Sequence, residues 1–334
     1  MKVSTILKLA IPLAAGALAA SAAPQERLPE FALPIDCKFG EACIIQQYLD
    51  HDAGPGAKDY RCGPMSYDGH DGVDVRVATT AEQKKGVTVL AAAAGTVREI
   101  SDGMDDINFR LIDLDSIKGR DCGNGVVIAH EGGWETAYCH LAKGSVRVRQ
   151  GQEVAAGAPL GLVGMSGKSE IWALHFVVRR HGETVDPFAY GAEPAACSGG
   201  KSLWSKAAQA TLAYHSPDLL NSGFATGALT MDDIESGRAA SIVVAANSPW
   251  LVAYVRAIGL KSGDVESLAL INPQGVVLAE KEQTPLLRDR AQQIRYVGRR
   301  LRLHEWPSGT YVALYTVKRE GVPLYSHKFT LTLP

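Results

Sequence analysis

The stretch EIWALHFVV, residues 170–178, decides how this chain is read. Its apolar and β-branched residues predict a buried strand. Alternation puts Ile171, Ala173, His175, Val177 and Arg179 on one face. Trp172, Leu174, Phe176 and Val178 fall on the other, and Glu170 with them. Taken alone, His175 reads as a core histidine whose ring nitrogens are satisfied, because an unpaired buried polar group is costly. What surrounds the stretch changes that reading.

Between Tyr67 and Tyr190 the chain runs as short β-rich segments separated by glycines: GVTVLAAAAGTVREI, GNGVVIAH, WETAYCHLA, GSVRVRQGQEV and APLGLVG. This pattern predicts a mainly β domain. Residues 101–123 are acidic and loop-like, and read as an insertion. Their aspartates lack the regular spacing of a calcium loop and are expected to be solvated. Residues 23–66 form an irregular, Pro/Gly-rich N-terminal extension. Residues 191–218 are small and polar, the expected linker. Residues 219–334 offer alternating strands and the hairpin turns INPQGVV and KREGVPL, which predict a β-sandwich-like accessory domain. It carries no cluster of nucleophile, base or metal ligands; a partner protein, a glycan and intramolecular docking over the groove are all open as what it binds.

The 334 residues are 46% hydrophobic with a formal charge of −2, which argues against a nucleic-acid partner. Lys2 and Lys8, an apolar run from Leu9 to Ala20 and the small residues Ala20-Ser21-Ala22 predict a signal peptide over residues 1–22. The run is shorter than the ~20 residues of a spanning helix, and no cysteine sits at the cleavage site to take a lipid. An exported chain, periplasmic or secreted, with no stable membrane anchor is expected. Export makes the six cysteines disulfide candidates, and Cys37 with Cys43 is the natural local pair.

Two further segments carry chemistry. In GHDGVDVRV, His70 and Asp74 would share a face of a flat strand, ~13 Å apart. The turn signal Asp71-Gly72 between them predicts a bend that brings them together. In ETAYCHLA, alternation places His140 on one face with Thr136 and Tyr138.

The combination of H-x-x-x-D, then Y-x-H-L, then a histidine in an apolar strand resembles the lysostaphin-type (LytM-like) zinc metallopeptidases. The likeness covers Tyr67 to Pro187, within a domain expected over 67–190, and includes SYDGHDGVDVRV, CGNGVVIAH, YCHL, VRQGQEVAAGAPLGLVGMSG and LHF. It implies a compact antiparallel β domain with a long groove. His70, Asp74 and His175 match the three zinc ligands, and His140 matches one of two catalytic histidines off the metal. The implied activity is a metalloendopeptidase cutting peptide stems or cross-links of bacterial peptidoglycan with a zinc-activated water. A biotinyl-type carrier shares some strand patterns, but lacks the modified lysine and leaves the trio unexplained.

One departure stands out. The family reads H-x-H at the end of the pattern, where this chain has Ala173-Leu174-His175. Residue 173 faces the same side as His175, ~6.6 Å along the strand, so a histidine there would reach substrate. Alanine cannot move a proton, and losing one general acid/base group costs ~10²–10⁴ in rate. The expectation is a weakened peptidase. The alternative is a zinc-retaining pseudoenzyme that binds cell wall or regulates other wall hydrolases.

Overall fold

The computed structural model describes Met1 and residues 28–193, 196–302 and 304–334. The expected signal peptide lies almost wholly outside the described residues. The centre of the molecule is an eight-stranded antiparallel sheet. Its main path runs Cys43–Gln47, Val73–Val77, Ala173–Arg180, Trp134–Leu141, Asn124–Ala129, Gly95–Ser101 and Glu153–Val154, with Glu183–Val185 paired beside Ala173–Arg180. A three-stranded sheet of Ile35–Asp36, Thr88–Leu90 and Pro159–Leu162 lies apart from it.

The central strands are two-faced, as their alternation requires. Val73, Val75 and Val77 are buried, as are Leu174, Phe176 and Val178. These residues join one apolar core whose burial stabilises the sheet at about 25 cal/mol per Å². The other face of the same strands floors an open cleft of about 830 Å³.

The N-terminal segment is no mere extension, because Cys43–Gln47 forms an edge of the central sheet. Residues 191–218 also do more than connect. Trp204 is 3% exposed and packs on Phe31, Phe176 and Phe188. Lys206–Thr211 is a short helix whose N-cap Ser205 accepts from the Ala208 amide. The Cys37–Cys43 bridge is present; Cys62–Cys197 and Cys122–Cys139 complete the pairing.

Beyond residue 217, two antiparallel sheets face each other. Asp218–Ala225, Trp250–Leu260 and Arg290–Arg300 form one; Val277–Glu282, Val265–Ile271, Gly309–Arg319 and Val322–Leu333 form the other. Leu251, Ala253, Leu268, Tyr311 and Tyr315 fill the space between them. Leu220 and Ile258 belong to the core under the central sheet, so the C-terminal unit is packed onto it. No helix among the described residues is long and apolar enough to cross a membrane.

Candidate metal centre

His70, Asp74 and His175 come together on the cleft floor. One ligand atom from each lies within 4.8 Å of the others. Strand pairing places two of them, since Asp74 and His175 are direct cross-strand neighbours. The third arrives because the Val73–Val77 strand begins only after the Asp71-Gly72 bend. His70 folds back until its Nε2 is 3.3 Å from Asp74 Oδ2 and 3.3 Å from His175 Nδ1. Gly72 permits this. A Cβ there would meet the His175 ring at 2.6 Å and the Phe176 carbonyl oxygen at 2.8 Å.

The outer contacts orient the donors. His70 Nδ1 is 2.7 Å from the Tyr48 carbonyl oxygen, which can only accept, so this nitrogen carries the proton. That leaves the Nε2 lone pair toward the trio. His175 Nε2 is 3.2 Å from Asp71 Oδ1, and its Nδ1 is 2.8 Å from Asp74 Oδ1. A carbonyl on one imidazole and a carboxylate on the other is the usual support of metal-binding histidines. Burial would raise the Asp74 carboxyl, but His70 and His175 hold it far below the usual carboxylate range. Burial would lower His175, yet its bonds to Asp71 and Asp74 raise it to about 9. The trio therefore presents a field that favours a cation. Two imidazoles and one carboxylate in this arrangement suit a borderline divalent metal.

His140 reaches the cleft by a route that alternation did not foresee. Tyr138 stays in the core, fully buried, with its hydroxyl 2.7 Å from the Ala92 amide and its ring against Phe176. Regular alternation would send His140 inward beside it. Instead the register with Asn124–Ala129 slips between Asn124 and Val126, and His140 takes φ 63°. This bulge swings its ring into the cleft, 5.8 Å from the His175 ring centroid. The expected shared face with Thr136 and Tyr138 is thus corrected. His140 Nδ1 donates to the Ser166 carbonyl oxygen at 2.7 Å, so Nε2 carries the lone pair. Burial pushes its pKa down to about 4, which keeps the ring neutral at pH 7.

Glu170 is a second correction. The strand starts at Ala173, so alternation does not reach residue 170, and Glu170 lines the cleft, paired with Arg110 at 2.6 Å. His130 is bonded to the Ala94 carbonyl and Thr136 in a different cavity. The 101–123 insertion forms part of the rim through Phe109, Arg110 and Asp121. Its acidic groups stay at the surface as expected, Asp102, Asp105, Asp113, Asp115 and Asp121 being exposed, while two of them also tie the loop down. Asp102 accepts from the Gly144 amide, and Asp106 from those of Lys143 and Met165.

The seat of the missing histidine is filled. Ala173 is 1% exposed and sits directly across from Arg76. Arg76, itself 2% exposed, donates to Gln46 Oε1 at 3.0 Å and Gln292 Oε1 at 3.1 Å, and pairs with Glu235 at 2.5 Å. Glu235 also binds the buried Arg256, whose Nη2 donates to the Ala78 carbonyl. Sequence reasoning passed over this cluster. Nothing in the sequence around Arg76 marks it, and its partners Glu235 and Gln292 lie far along the chain.

Fold and site together define a β-sheet cleft floored by a candidate metal-binding trio. Residues 68–187 match the model of Peptidase family M23, and the chain belongs to that family. Lipoprotein NlpD of Yersinia enterocolitica is 35% identical over 68 residues, 20% of this chain and 67% of that protein. Murein hydrolase activator EnvC of Escherichia coli (strain K12) is 35% identical over 103 residues, 31% of this chain and 22% of that protein. The catalytic domain of the antimicrobial peptidase lysostaphin from Staphylococcus simulans is 23% identical, with 42% of this chain and 89% of that one covered and a TM-score of 0.27. The chain spans only 12–29% of the length of most curated relatives it matches.

Proposed function

We propose that this chain is an exported zinc protein of the bacterial cell envelope whose cleft takes the peptide part of peptidoglycan and hydrolyses its peptide bonds slowly. The observation that carries this reading is the ligand trio, with the His70 lone pair turned inward by the Tyr48 carbonyl and His175 Nδ1 aimed at Asp74 while Asp71 holds Nε2. His70, Asp74 and His175 would hold the metal. Zinc, when bound there, supplies a Lewis acid that acidifies water and polarises a peptide carbonyl. His140 is neutral, with Nε2 free to accept a proton from water and pass it to the leaving nitrogen. Names such as lipoprotein NlpD and murein hydrolase activator among the relatives support a cell-wall role.

A specific observation favours a second reading. Ala173 carries no proton-transfer group and lies buried beside its cross-strand neighbour Arg76, which suits a protein that grips wall peptides and regulates other hydrolases. Digestion of purified peptidoglycan separates the two. The peptidase reading expects slow product formation that stops with a chelator and in His140→Ala. Unchanged muropeptides after prolonged incubation with zinc-loaded protein would leave the regulatory reading standing.

A further inference from the structure

The cleft is built by more than the M23 segment. Ala291 and Gln292, at the start of the Arg290–Arg300 strand of the C-terminal unit, also line it. They are held there by a defined set of bonds. Gln46 Nε2 donates to the Ala291 carbonyl at 3.2 Å. Arg76 Nη1 donates to the Gln292 side-chain oxygen, and Arg76 Nη2 is anchored on Glu235.

A guanidinium can only donate, so the Gln292 atom facing Arg76 must be its oxygen. That fixes the amide's orientation and leaves its two N–H hydrogens on the opposite side. Among the described residues no side chain or carbonyl accepts from them, and Gln292 is only half-buried. Arg76 stands one strand rung beyond Asp74, ~6.6 Å, which is about two residues of an extended peptide. A peptide laid on the trio therefore runs past this amide within a short distance of the bond at the metal.

We propose that Gln292 is a ligand-contacting residue of the cleft, its side-chain N–H donating to a backbone carbonyl of the bound peptide, with Arg76 as the positioning residue that aims it. The C-terminal unit thereby supplies part of the peptide-binding surface. This rests on the cell-wall reading above and deepens it.

The test is calorimetric binding of cross-linked muropeptides, released from purified peptidoglycan by a muramidase, to zinc-loaded full chain. Wild type is compared with Gln292→Ala, Gln292→Glu and Gln274→Ala, the last an exposed turn residue that does not line the cleft. Gln292→Ala is expected to weaken binding about 3- to 10-fold, the worth of one net hydrogen bond. Gln292→Glu keeps an oxygen for Arg76 but loses the donor, and is expected to lose at least as much with its melting temperature preserved. A merely structural Gln292 would tolerate that change. Gln274→Ala should bind like wild type. Equal affinity of wild type and both Gln292 variants overturns the proposal while the cell-wall reading stands. Failure of the wild type to bind muropeptides overturns both.

Discussion

Two neighbouring rungs of one sheet face have opposite characters. Asp74 opposite His175 is a pair of donors facing the cleft, two of the three residues of the candidate metal trio. Arg76 opposite Ala173, the next rung on that face, is sealed and tied to the C-terminal unit through Glu235 and Gln292. Strand, register and direction are shared. The difference comes from what covers each rung. Open space over the first leaves its polar groups to a ligand, whereas over the second a packed neighbour takes them into an ion-pair network. A residue missing from a catalytic pattern can thus mark a place where another part of the chain has moved in.

The sharpest way to break the comparison is to strip the open rung. His175→Ala removes one of three donors, and purified protein should lose nearly all bound zinc by metal analysis. Equal zinc in wild type and variant would sink the ligand assignment. The next largest effect falls on the sealed rung. Glu235→Ala leaves Arg76 and Arg256 buried without their counter-charge, and breaking such a group costs about 3 kcal/mol or more. Urea denaturation of wild type and variant measures it; a difference near zero would mean the network is solvated and the rung unsealed.

Smaller effects sharpen the contrast. Asp71→Ala removes only the outer support of His175 and should weaken zinc affinity about 10- to 100-fold in competition with a chelator. No change would show that Asp71 leaves the ring's orientation to other contacts. Ala173→His is the mildest. At 1% exposure the larger ring overpacks against Arg76, costing about 1–3 kcal/mol. No gain in peptidoglycan hydrolysis should accompany it. A faster enzyme from this single change would show that the seat is open after all.

Much of this was legible from residue order. The alternation of Ala173, His175, Val177 and Arg179 against Leu174, Phe176 and Val178 is a property of period two, and the strand obeys it. The Asp71-Gly72 bend was legible as a turn signal, and the two-sheet C-terminal unit as a run of alternating strands. His140 was placed on the wrong face because a left-handed residue inside a strand reverses the alternation, and nothing local marks it. Glu170 was misplaced because the strand's start was set too early. The Arg76–Glu235–Arg256 cluster was invisible, since long-range ion pairs leave no periodicity in the residues that form them. Asp71 was seen only as half of a turn; its place beside a candidate ligand was the available clue to its second role.

The Cys122–Cys139 bridge gives the chain a sense of place. It ties the end of the rim insertion to the residue just before His140, beside the one bulge that turns that ring outward. A newly made chain with both thiols reduced lacks that tie, so the setting of the His140 ring is secured only where thiols are oxidised. Hydrolysis of wall peptides should accordingly fade when the folded protein is treated with dithiothreitol at constant zinc; undiminished turnover would show that the bulge holds without the bridge. Loss of turnover on reduction would make oxidation of that pair a safety catch that arms the cleft.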